Sequence, residues 1–193
     1  MNNLSDNKIM LIEHNREKLI NAIIYFLGNT RFCGKTKLFK LLYYLDFMHF
    51  RETGRSVTGL DYFAWKFGPV PKSLADEFNA PAKDFNDSIS IQGSNNNFVI
   101  MKPKEKFEDT FFSKRELKIL EEVAFIFKDA KADDMVEASH LPNHPWDKTI
   151  HTKGEFALID YILAIDDTDK SLTLDEIKER LKDKEEIKKA FNG

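Results

Sequence analysis

The stretch that decides the fold is Lys37-Leu38-Phe39-Lys40-Leu41-Leu42-Tyr43-Tyr44-Leu45-Asp46-Phe47-Met48-His49-Phe50-Arg51. Placed at 100° per residue, Leu38, Leu41, Leu42, Leu45 and His49 share one arc, and Phe39, Tyr43, Phe47 and Phe50 continue it around the other side. Only a narrow sector carries Lys37, Lys40, Tyr44 and Arg51. A helix apolar around most of its circumference is a buried one. The periodicity therefore predicts a central helix over about Thr36 to Thr53, ended by Gly54.

Working outward, Leu19, Ile20, Ile23, Ile24 and Leu27 predict a helix over about Asn15 to Leu27, with Gly28 just past its end. Residues 1–15 read as a flexible lead-in. Gly59 to Phe67 is aromatic and suits a strand. Gly68-Pro69-Val70-Pro71 reads as a turn that breaks it, because two prolines remove backbone donors. Pro71 also suits the first turn of a helix from Lys72 to Phe78. Ser88 to Gln92 and Phe98 to Met101, around Gly93-Ser94-Asn95-Asn96-Asn97, predict a β-hairpin. Too small to stand alone, it should share a sheet with the Trp65 segment or lie on a helix.

Ser113-Lys114-Arg115-Glu116 fits a capping box opening a helix to about Lys128. A short helix follows from Ala132 to His140, then an irregular loop from Leu141 to Trp146. Phe156 to Ile165 reads as an apolar helix. Thr173-Leu174-Asp175-Glu176 is a second capping box, opening a charged helix with Leu174, Ile177 and Leu181 along one face. The expected architecture is predominantly helical α+β: a buried central helix wrapped by helices, with a small antiparallel sheet or hairpin.

Composition bounds the function. The chain has 193 residues, 42% of them hydrophobic and 17 of them Phe, enough for one packed domain. Its formal net charge of −3 gives no global electrostatic case for nucleic-acid binding. The single cysteine, Cys33, allows no intrachain disulfide. With a polar start, MNNLSDNK, and no apolar run near the roughly 20 residues a bilayer needs, the expected setting is cytoplasmic and off the membrane. Phosphate-binding loops, dinucleotide fingerprints, zinc-protease helices and serine-hydrolase elbows are all missing from the sequence. The expectation is a binding protein, with no cofactor or metal and no catalytic residues.

Several blocks in order carry a resemblance. Lys37 to Asp46 is followed by Gly54-Arg55-Ser56-Val57-Thr58-Gly59, then Ala64-Trp65-Lys66-Phe67-Gly68-Pro69-Val70-Pro71, then Ser139-His140 and Pro145-Trp146. From about Leu19 to Trp146 this resembles the Panacea domain of SocA-like, phage-associated antitoxins. The resemblance implies a Panacea-like domain over 16–153, with 154–193 a helical extension packed on it or appended. It marks Leu41, Leu42, Tyr43, Asp46, Trp65, Gly68, His140 and Trp146 as motif or structural positions. It also implies a protein partner, a co-encoded toxin, neutralised by direct contact or presented to a protease or chaperone.

Lys37, Lys40, Tyr44 and Arg51 are candidates for an acidic or RNA-like partner, or else the solvated edge of the central helix. Pro69, Val70 and Pro71 are candidates as a rigid contact loop. Asp46, among apolar neighbours, needs a structural partner; Lys66, Arg115 and His140 are the candidates. His140 is expected to pack beside Trp146; its spacing to His144 and His151 does not suit zinc. The rival readings are a nucleic-acid-binding or phage-associated regulator and an enzyme using Asp46 or the His140 region.

Overall fold

The structure, a computed structural model, describes residues 3–93, 99–165 and 186, with side chains from residue 15 onward. Helix α1 spans Asn3–Asn29 and α2 spans Lys35–Thr53. The α1 start lies well before the expected one: no Gly or Pro interrupts the chain before Gly28, so nothing in the backbone stops the helix there. Gly28 falls inside the last turn rather than beyond it. By contrast α2 ends as expected, with Gly54 in the left-handed conformation (φ 70°) and its N–H on the Phe50 carbonyl at 2.7 Å.

Helix α2 is the buried centre. Leu38, Phe39, Leu41, Leu42, Tyr43, Leu45, Phe47 and Phe50 are all buried, and the helix packs against α1 and two helices from later in the chain. Helix α5 is Lys114–Ile126, α6 is Ala132–Ser139 and α7 is Pro145–Lys153. The Ser113 capping box forms, and its Glu116 also accepts from Lys18 Nζ at 2.7 Å, tying α5 to α1. Burial pushes Glu116 up, but Lys18 and Ser113 outweigh it and hold the carboxyl below its ordinary range. Pro145-Trp146, expected in a loop, instead opens α7, since a proline in the first turn forfeits no helical hydrogen bond.

Strands β1 (Tyr62–Trp65) and β2 (Gly68–Pro71) form an antiparallel hairpin in the register Tyr62↔Pro71, Phe63↔Val70, Ala64↔Pro69, Trp65↔Gly68. The Gly-Pro-Val-Pro segment is thus a strand, and the turn is Lys66-Phe67. The prolines are tolerated because Tyr62 and Ala64, opposite them, direct their backbone groups to the other side. There Ala64 N–H donates to the Ala157 carbonyl at 2.9 Å, and Ile159 N–H donates to Tyr62 at 2.8 Å. Residues 156–159, read from sequence as helix, are therefore not helical but pair with β1: Leu158 bridges Phe63, Phe156, in a turn at φ 64°, donates its N–H to the Ala64 carbonyl at 2.8 Å, and a short 3₁₀ turn follows at Tyr161–Ala164. A continuous apolar run has no period of its own to separate helix from strand.

Strands β3 (Ile89–Gly93) and β4 (Val99–Pro103) form the expected hairpin. It is a separate sheet resting against α1, not an extension of the Trp65 segment. Two short helices, α3 (Lys72–Glu77) and α4 (Lys83–Ser88), connect the sheets, and Arg16 of α1 bonds to both Glu77 and Asp84. The sequence-predicted helix from Thr173 lies outside the described residues. Among the described residues the fold is predominantly helical α+β, with two small antiparallel sheets.

Candidate functional site

The polar sector of α2 is mostly inside the molecule. Lys37 is buried and donates to the carbonyls of Arg31 (2.7 Å), Ala130 (2.6 Å) and Lys128 (3.3 Å), closing the chain end that leaves α5. Desolvation lowers its pKa. Tyr44 is half-buried and stacks on Phe127 with ring centroids 4.7 Å apart. Arg51 is exposed. The sequence put Lys37 and Lys40 at the solvated edge or on a contact surface. Neither reaches the surface, because the chain between α5 and α6 covers Lys37, and β2 and the end of α6 cover Lys40.

Lys40 lies where the family-pattern blocks meet. It is 1% exposed, and its Nζ donates to the Pro69 carbonyl at 2.8 Å. Burial drives its pKa down to about 7. Gly68 (φ 98°) presses on the same spot: a Cβ there would lie 2.6 Å from Ser139 Oγ and 2.7 Å from Lys40 Nζ. Ser139, buried at the end of α6, donates to the Val136 carbonyl at 2.9 Å. Next to it His140 stacks flat on Trp146, with centroids 3.7 Å apart and planes 3° from parallel, as expected. Trp146 Nε1 in turn donates to the Trp65 carbonyl at 3.0 Å. Sequence blocks far apart in the chain thus close one polar joint between α2, β2 and α6–α7. Pro69, Val70 and Pro71, candidates as a contact loop, are buried in it.

Asp46 is fully buried, as its place on the apolar arc requires, but none of the three expected partners answers it. The chain leaving α2 turns back over the helix. Val57 and Thr58 N–H donate to Oδ1 at 2.8 and 2.7 Å, and the Thr58 and Tyr62 hydroxyls donate to Oδ2. Burial raises its pKa to about 6 against the pull of these bonds. His49, one turn on, donates from Nδ1 to the Arg55 carbonyl at 2.7 Å and fastens the same turn. The carboxylate is a clasp with its acceptor capacity filled.

What faces outward is apolar. Alternation along β1 puts Phe63 and Trp65 on one face, Leu158 joins it opposite Phe63, Phe156 joins it through its ring contact with Trp65, and Phe67 stands at the hairpin tip. Phe67 is 65% exposed, Phe156 64%, Leu158 47% and Trp65 36%. The Trp65 and Phe156 rings meet edge to face at 5.8 Å. Beside Phe63 a surface hollow of about 350 Å³ is lined by Asp61, Lys72, Ser73 and Asp76 as well. Single exposed apolar residues are ordinary; a contiguous aromatic face is a mark of association.

A family model described as antitoxin SocA-like, Panacea domain, matches residues 38–147. The chain belongs to this family. The match takes in α2 from Leu38 onward, the β1–β2 hairpin, Ser139-His140 and the start of α7, which are the parts that form the Lys40 joint. Family membership carries an antitoxin-type role in general. No curated protein and no solved structure matches the chain.

Within the Panacea match, Leu41 and Leu42 fill the core, and Tyr43 packs against Phe47 and Tyr62. His144 and His151 are exposed, away from the His140 stack, and among the described residues no three His, Cys, Asp or Glu side chains are grouped to hold a metal ion. Cys33 is pushed up to about 11 by burial and is a poor nucleophile. Among the described residues no helix is long and apolar enough to cross a membrane. The outward face escaped sequence reasoning because its second half, Phe156 and Leu158, sits in the run read as helix. The period-two pairing of Phe63 with Trp65 was the available signal.

Proposed function

We propose that this chain is an antitoxin-type binding protein that neutralises a co-encoded toxin protein by direct contact, without catalysis of its own, and that the Trp65–Phe67–Phe156–Leu158 face is the contact surface. The observation that carries the reading is this exposed aromatic face, on a chain of the antitoxin SocA-like family. The polar side chains of the family pattern support it from the other side: Lys40, Asp46 and Ser139 are consumed by internal hydrogen bonds rather than lining an open pocket. Aromatic side chains supply much contact area at low entropic cost, which suits them to anchor an interface.

The test is co-expression with the product of the adjacent gene, followed by a tagged pull-down at low and high salt. One neighbouring-gene protein retained at high salt, with its toxicity suppressed, supports occlusion of the toxin by contact. Faster turnover of that protein in the presence of this chain assigns delivery to a protease instead. Recovery of nucleic acid alone, lost as salt rises, would sink the reading in favour of a nucleic-acid-binding regulator.

A further inference from the structure

Lys40 poses a physical problem that its surroundings answer in one way. An ammonium removed from water needs an opposite charge or several acceptors. Among the described residues, the hydrogen bond Lys40 makes is to one carbonyl, Pro69, and it joins no ion pair. The carboxylates on and around the elements packed on α2 are engaged elsewhere or lie at the surface, as Glu17, Glu121, Glu122, Asp133 and Glu137 do. Asp46 holds Val57, Thr58 and Tyr62; Glu116 holds Lys18 and Ser113; Asp134 holds Lys131 N–H; Asp147 holds Asn143 N–H and His151. On α2 itself the titratable neighbours are Lys37, Tyr43 and Tyr44, and β2 supplies none. The end of α6 supplies the Ser139 hydroxyl and His140, whose own charging Lys40 opposes. Gly68 packs so close to the amine that a Cβ there would lie 2.7 Å from Nζ, so β2 forms part of the cover that keeps Lys40 1% exposed.

We propose that Lys40 is a proton-operated latch: uncharged, it holds α2, β2 and the Ser139–Trp146 segment together, and protonation loosens that joint and releases the β1–β2 hairpin. The direction follows from the enclosure. A neutral amine donates to Pro69 and needs nothing more, whereas an ammonium gains by reaching water, which it can do only if Gly68–Pro71 lifts away. Because that hairpin carries Trp65 and Phe67, opening would also disturb the outward aromatic face; only this last step rests on the proposed contact role.

Hydrogen exchange of the full chain, read by mass spectrometry from pH 6 to 9.5 and corrected for the intrinsic rate, tests the latch without any partner. Peptides over 62–71 and 136–150 should show protection that is flat below about pH 7 and rises by up to about tenfold per pH unit above it. In Lys40→Met the same peptides should be flat across the range and as protected as the alkaline wild type. A flat wild-type profile, or an equal rise in every peptide, overturns the proposal. So does loss of the pH dependence in His140→Gln, which would place the proton on the imidazole. Should the Met variant fail to fold, an NMR titration of the Lys40 Cε resonance in the wild-type chain decides the matter. A midpoint near the ordinary lysine value of about 10.4 overturns the latch, and one near neutrality supports it.

Discussion

Lys40 and Asp46 lie on the same buried helix, carry opposite formal charge, and do not neutralise each other. Lys40 bonds to the carbonyl of Pro69 in β2, whereas Asp46 bonds to the amides and hydroxyls of the turn and strand that follow the helix. The central helix is thus held to the chain that follows it by two separate polar clasps.

The Asp46 clasp gives stability an acid-side pH dependence. Its carboxyl has a folded pKa of about 6, above the ordinary 3.8, so the folded state holds the proton more tightly. The stabilisation this lends is complete below about pH 4 and is lost as pH rises through 6. Chemical denaturation of the wild type should show stability falling across that window, and Asp46→Asn should flatten the profile. Asp46→Ala, which leaves the Val57 and Thr58 amides unanswered, should cost about 3 kcal/mol.

Gly68→Ala should destabilise by about 2–3 kcal/mol. The added Cβ meets Ser139 Oγ and Lys40 Nζ well inside contact distance, at a backbone angle that L residues avoid. Thermal unfolding reads the effect; an unchanged midpoint would mean that the joint yields at no cost.

Trp146→Phe keeps a ring to stack on His140 but removes the donor to the Trp65 carbonyl. The expected loss is about 1 kcal/mol, the net worth of one such bond. Trp146→Ala, which also empties a core position, should cost about 4 kcal/mol. Comparable losses for the two variants would show that the indole N–H, not the packing, dominates.

Phe67→Asp and Phe156→Ser sit on the outward face and should leave the thermal midpoint within about 1 kcal/mol equivalent of wild type. Each should weaken capture of the co-encoded partner at least tenfold, in line with the loss of an aromatic anchor of about 2 kcal/mol. Arg51→Ala, exposed on α2, is the matched control and should bind as wild type. Undiminished capture by both face variants would move the contact surface elsewhere.

Much of the fold was legible because its elements carry strong local signals. The apolar girdle of α2, Gly54 at its end, the Ser113–Glu116 box and the Ile89/Val99 hairpin each declare themselves within a few residues. What escaped depends on tertiary context. Lys37 and Lys40 look like surface residues on a helical wheel, and nothing local shows that the α5–α6 connection and β2 close over them. Pro69 and Pro71 read as strand breakers unless one knows that their side of the strand owes no donor. Asp46 called visibly for a partner, but amides of a returning turn leave no charge signature to search for.

The match to the family ends at residue 147, yet the backbone of Tyr62 and Ala64 is completed by residues 156–159, and Tyr161 seals the far end by stacking on Phe47 and donating to the Leu60 carbonyl. The stretch recognisable by descent and the stretch that packs together are therefore of different lengths. A gene fragment trimmed to the recognisable part would expose an unpaired strand edge beside aromatic side chains, the combination that drives chains to aggregate.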